Sequence, residues 1–117
     1  MARLVRRTAL AAIAAGVLGA WASAFAMDDV VPPRARQHEL LVLLKQDCGS
    51  CHGMRLTGGL GPALTPQALE DKPAASLVAT IRSGRPGTAM PPWAPFLTEA
   101  EAQWLVARLQ RGETDAP

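Results

Sequence analysis

Side chains that bind transition metals are scarce here: two cysteines and two histidines in 117 residues. A structural zinc site normally takes four ligands, and Cys48, Cys51 and His52 have only the distant His38 to complete one. A plain disulfide between the two cysteines would close a very short loop and add little stability. No strand pattern flanks them, so the βαβ setting of a thioredoxin-type redox pair is missing. There is no internal repeat, no low-complexity tract and no large basic excess. The formal net charge is +2, and three of the basic residues, Arg3, Arg6 and Arg7, sit together at the N-terminus. Residues 27–117 hold nine basic and ten acidic side chains, a net −1. Nothing in that balance suggests a nucleic-acid partner, and none is expected.

The first 26 residues read as an address. Arg3, Arg6 and Arg7 form a basic start, Ala9 to Ala20 an apolar stretch, and Ala24-Phe25-Ala26 an A-x-A cleavage site. Thr8 to Ala26 carries no charge and could just span a bilayer, so an uncleaved anchor is the alternative. The abundance of alanine, the breaks at Gly16 and Gly19 and the cleavage motif favour removal. Arg6-Arg7 matches a twin-arginine signal only weakly, since no bulky apolar pair follows. The expectation is export to the periplasm with no stable membrane insertion after cleavage. Residues 27–117 then form one small domain, near the size at which a protein core alone is marginal.

What the chain does have is Cys48-Gly49-Ser50-Cys51-His52. C-x-x-C-H is the attachment signature of c-type haem. The spacing lets one turn of chain straddle the edge of the macrocycle, with both thiols forming thioethers and His52 beneath the iron as proximal ligand. One covalent haem c is the expected cofactor. A flat apolar group at the centre would also supply much of the missing core, so the chain without it is expected to be largely unfolded.

The pattern is all-α throughout, three to four helices around that haem. The expected division is a signal peptide over 1–26, a leader over 27–37, a folded domain over 38–112 and a tail over 113–117. Pro32-Pro33 marks a helix start, and the helix should run to about Asp47 with Leu40, Leu41, Leu43 and Leu44 on its apolar side. Gly53 to Pro66 is a Gly/Pro loop, followed by a short helical turn after Thr65-Pro66. Pro73 to Ser83 reads as a helix pairing Leu77 with Ile81 and stopped by Gly84. Arg85 to Leu97 is a second loop. Thr98-Glu99-Ala100-Glu101 is a capping box opening the last helix, which carries Leu105 and Leu109 and ends at Gly112.

A haem iron held by His52 needs a sixth ligand or stays open. Met54 is tethered two residues from His52 on the proximal side, and Met27 sits at the expected new terminus. Met90 lies in a loop stiffened by Pro91 and Pro92, and a preorganised sulfur loses little entropy on binding. Met90 is the expected distal ligand, with a core-filling methionine as the plain alternative and His38 as a weaker candidate. His/Met ligation is the electron-transfer pattern.

The motif Cys48-Gly49-Ser50-Cys51-His52-Gly53, then Gly61-Pro62-Ala63-Leu64, Gly84, Met90-Pro91 and a capped terminal helix resemble a class I monohaem cytochrome c. More narrowly, Gly58 to Leu64 and Arg85 to Trp93 are similar to the cytochrome c55X type of denitrification gene clusters. Short class I domains of membrane oxidases share much of the pattern. The resemblance implies that Pro62 offers its carbonyl to the Nδ1–H of His52, fixing the ring and raising its basicity. It also implies a one-electron carrier rather than an enzyme, with redox partner proteins such as cytochrome cd1 nitrite reductase or the enzymes of haem d1 maturation. An accessory role in haem d1 maturation or binding, a cytochrome subunit of another respiratory complex, and a peroxidase-like open haem are the alternatives. Two departures from many relatives stand out. Leu40 and Leu44 occupy positions where a small residue and an aromatic are frequent, and Arg108 occupies a frequent aromatic position. The crossing of the first and last helices should therefore be packed by aliphatic side chains, with help from Trp104. Trp93 is expected at the haem edge, its indole N–H either on a propionate or in water. Arg55, Arg82 and Arg85 are candidates to rim the pocket and steer an acidic partner.

Overall fold

The computed structural model describes residues 31–115. The expected signal peptide and the first four residues of the leader, 27–30, lie outside that range. Proline sets the first helix at its N-cap, one position earlier than expected. Pro33, with φ −55° and ψ 150°, is the N-cap of α1 (Arg34–Leu43), and its carbonyl accepts the Gln37 N–H at 2.9 Å. Helix thus begins inside the stretch read as leader. It also runs past Asp47. A π-helical turn, Leu44–Cys48, follows α1 directly and passes into α2 (Gly49–His52). The Gly49 N–H reaches back five residues to the Leu44 carbonyl, which is the hydrogen-bond pattern of a π turn. Gly53, at φ 90°, ends the rod.

Three further helices complete the described residues: α3 (Pro66–Leu69), α4 (Ala74–Ser83) and α5 (Glu99–Arg111). The Thr65 hydroxyl caps α3 by accepting the Ala68 N–H. Pro73 is the N-cap of α4, and Gly84 its C-cap. The capping box of α5 is complete, since Thr98 and Glu101 each accept the other's backbone N–H. The fold is all-helical, as expected.

Leucine builds the core. Leu40, Leu41 and Leu44 from the first rod meet Leu105 and Leu109 of α5, with Leu56, Leu69 and Leu97 closing the cluster from α3 and the loops. Burying each such side chain stabilises the fold by about 1.5–3 kcal/mol. The helix crossing is aliphatic, as the substitutions at 40 and 44 suggested. Trp104 packs only at the margin of this cluster, with the Arg108 guanidinium 5.0 Å above its ring. In α4 it is Val78 that is buried, against Ala102 and Val106 of α5. Leu77 and Ile81 are half-buried and turn towards a central cavity. An ion pair pins the start of α1 to the start of α5: Arg36 Nε lies 2.7 Å from Glu101 Oε1, and the same guanidinium donates to the Phe96 carbonyl.

Candidate functional site

A cavity of about 470 Å³ opens between the first rod, α4, α5 and the two Gly/Pro loops. Its size falls within the range of about 300–1,000 Å³ usual for small-molecule and cofactor sites. Cys48, Cys51, His52, Pro62, Met90 and Trp93 all line it. Tertiary folding therefore brings these six residues to one space.

The π turn delivers the first of them. It feeds Cys48 into the short helix α2, which carries Cys51 and His52 onto the same cavity wall. No disulfide joins the two cysteines. Burial, reinforced by the neighbouring Asp47 charge, pushes the Cys48 thiol up to about 11. Among the described residues no three His, Cys, Asp or Glu side chains converge as a metal site of their own would require.

His52 is oriented by the loop that follows it. The Gly58 N–H donates to the His52 carbonyl and the Gly61 N–H to the Cys51 carbonyl, each at 2.8 Å. These bonds fold the loop back over the end of α2. Pro62 then presents its carbonyl 2.7 Å from His52 Nδ1. A carbonyl can only accept, so Nδ1 carries the proton and Nε2 is the nitrogen left to bind a metal. Gly61 presses against the ring, and a Cβ there would stand 2.7 Å from Cε1 and 2.8 Å from Nδ1. The spacing of the motif gives no hint of this contact. Leu56 anchors the same loop, 3% exposed in spite of a left-handed φ of 58°.

The opposite wall is the second loop. The Met90 carbonyl accepts the Arg85 N–H at 3.1 Å, closing residues 85–90 on themselves. Gly84 seats this closure. Its φ of 65° and ψ of −169° suit glycine alone, and an added Cβ would lie 2.6–2.7 Å from the backbone of Met90, Pro91 and Pro92. Trp93 continues the wall, half-buried, with its ring edge-on to Phe96 at 5.9 Å. Its backbone N–H donates to the Ile81 carbonyl at the end of α4.

The remaining candidates separate. Met54 is 63% exposed and His38 is on the surface, and neither lines the cavity. Of the three arginines expected at the rim only Arg85 is there. Arg55 is exposed elsewhere, and Arg82 turns to Glu99 at 3.4 Å. Lys72 and Asp47 line the cavity without having been expected to. Nothing local marks them, because only the packing of α3 and α4 on α5 brings Lys72 round. The lining is otherwise largely apolar, with Leu44, Leu69, Leu77, Ile81, Leu105 and Leu109 among its members. Two thiols and one oriented imidazole on an apolar slot this size fit a flat apolar macrocycle held by its edge.

Residues 35–107 match the family described as cytochrome c oxidase, cbb3-type, subunit III. Over 85 residues the chain is 65% identical to a cytochrome c55X of Pseudomonas aeruginosa, a match spanning 73% of this chain and 71% of that one. This chain belongs to the cytochrome c55X family. It is thus a class I c-type cytochrome, of a family of electron carriers rather than enzymes, and its Cys48–Cys51 pair is consistent with covalent haem c. A solved c-type cytochrome NirC superposes on it with a TM-score of 0.70 at 64% identity, covering 74% of this cytochrome and all of the other chain. A solved dihydro-heme d1 dehydrogenase NirN, in complex with DHE, contains a similar region: TM-score 0.54, 39% identity, 65% of this cytochrome but only 16% of that chain. No helix among the described residues is long and apolar enough to cross a membrane.

Proposed function

We propose that this cytochrome is a periplasmic one-electron carrier serving cytochrome cd1 nitrite reductase or the enzymes that mature its haem d1. When bound, a haem c supplies an iron that cycles between Fe(III) and Fe(II). The observation that carries the reading is the convergence of Cys48, Cys51, His52, Pro62, Met90 and Trp93 on a single cavity, with the His52 Nδ1–H engaged by Pro62. In this reading Cys48 and Cys51 would hold the macrocycle by thioethers, and His52 Nε2 and the Met90 sulfur would bind the iron. Pro62 fixes the imidazole and raises its donor strength. Trp93 covers the edge beside Met90. The leucine lining would give a bound haem a largely apolar surround, which would limit how much solvent must reorganise on electron transfer. Removal of residues 1–26 on export delivers the domain to the periplasm.

The haem d1 arm of this reading is favoured by one observation. A region similar to this domain forms part of a dihydro-heme d1 dehydrogenase, which supports a link between this module and that chemistry. A free copy could accept electrons from such an enzyme or pass them to the reductase. Stopped-flow mixing of the reduced, haem-loaded cytochrome with oxidised cytochrome cd1 nitrite reductase tests the donor role. Rapid, salt-sensitive oxidation is expected, together with slow reaction of carbon monoxide or peroxide at the same iron. Fast ligand binding with no electron transfer would overturn the carrier reading. Reduction of the oxidised cytochrome by a dihydro-haem d1 dehydrogenase, with none passed to the reductase, would assign it to maturation.

A further inference from the structure

We infer that Thr88 is a positioning residue for the distal methionine: its hydroxyl locks the Arg85–Met90 loop into the shape that presents the Met90 sulfur. This rests on the proposed ligation by Met90. The Thr88 hydroxyl donates to the Arg85 carbonyl at 2.7 Å and accepts the Met90 N–H at 3.3 Å. The Thr88 N–H donates to the same Arg85 carbonyl, and the Arg85 N–H closes the ring on the Met90 carbonyl, both at 3.1 Å. One side chain thus ties both ends of a six-residue loop. The loop has no other fastening of that kind. Pro91 and Pro92 have no N–H to give, and a Cβ at Gly87 would meet nothing within 4 Å, so neighbouring chain does not wedge the tip in place.

The geometry matters because a thioether is a weak neutral ligand. Its hold on a metal depends on how often the free loop already has the bound shape. Without the hydroxyl, the loop can still close through the Arg85–Met90 backbone bond, but the Met90 N–H loses its acceptor. The sulfur then spends more of its time off the metal. An external ligand binds only in those intervals, so its apparent affinity rises in proportion to the open fraction.

The test is imidazole titration of the oxidised, haem-loaded protein, following loss of the weak sulfur-to-iron charge-transfer band at the red end of the visible spectrum. Thr88→Val, equal in shape but without the hydroxyl, is expected to bind imidazole about fivefold more tightly than wild type, the scale of one or two lost hydrogen bonds. Thr88→Ser is expected to restore the wild-type value. A purely structural role would lower the unfolding temperature of Thr88→Val and leave the imidazole affinity unmoved, and that result overturns the inference. Equal affinities for the Val and Ser variants would also overturn it, by taking the hydroxyl out of the account. Met90→Ala separates the two layers. If the band survives that change, the ligand reading fails and the positioning role falls with it. If Met90→Ala loses the band while Thr88→Val titrates like wild type, ligation by Met90 stands and only the role of Thr88 is refuted.

Discussion

Replacing Gly84 by alanine probes the contact between α4 and the methionine loop, and Gly87 supplies its control. Both glycines have positive φ, 65° and 77°. Alanine at Gly87 meets no atom within 4 Å, so it bears only the cost of a left-handed backbone, about 1 kcal/mol. Alanine at Gly84 bears a backbone cost of about 1–3 kcal/mol in a region that only glycine populates easily. It also drives a methyl group to within 2.6 Å of the Pro91 carbonyl carbon and 2.7 Å of the Met90 oxygen and Pro92 nitrogen. Those are backbone atoms and cannot rotate aside, which adds roughly 1–3 kcal/mol of overpacking. The expected gap between the variants is about 3 kcal/mol, a large share of a total near 5–15 kcal/mol. At about 4–8 °C per kcal/mol for a domain of this size, Gly84→Ala should melt about 12–24 °C below Gly87→Ala. Thermal unfolding of the haem-loaded proteins by circular dichroism measures this directly. The displaced loop should also weaken the sulfur-to-iron band in Gly84→Ala and spare it in Gly87→Ala. Equal melting temperatures and equal bands would refute the argument that α4 seats the loop.

Two further outcomes follow from the site and the core. Protein carrying both Cys48→Ser and Cys51→Ser should release its haem into acid-acetone, whereas wild type made with cytochrome c maturation machinery should retain it; extractable haem from the wild type would overturn the thioether assignment. Glu101→Gln keeps the α5 cap but loses the charge that pairs with Arg36, and should lower stability by about 1 kcal/mol near neutral pH. The Arg36 guanidinium and the Thr98 N–H hold the Glu101 carboxyl below its ordinary 4.5. Its contribution is therefore complete above that value and is lost as the pH falls through the lower folded-state value. Denaturant melts of the two proteins should converge in strong acid, and a gap that persists there would show that the carboxylate charge is not its source.

Much of this cytochrome is written locally. The C-x-x-C-H run names its chemistry because the attachment needs two thiols and an imidazole at fixed separation along one turn. Helix ends were legible where a side chain or a fixed φ satisfies the backbone on the spot, as at Thr65, Pro73 and the Thr98–Glu101 box. The leucine spacing named five of the eight buried leucines for the same reason, since period alone decides which side of a helix meets its neighbour. Tertiary structure decided what depends on distant partners. The run from Arg34 to His52 continues through a π turn, and its far end is gripped by the loop that returns to Cys51 and His52. Arg82 leaves the cavity rim for Glu99, and Lys72 joins it, according to how α3 and α4 lie on α5. The contacts of Gly61 with the His52 ring and of Gly84 with the Met90 backbone are likewise invisible in the chain. A glycine in sequence marks only a missing side chain, and which backbone or ring occupies the space is settled when remote segments pack.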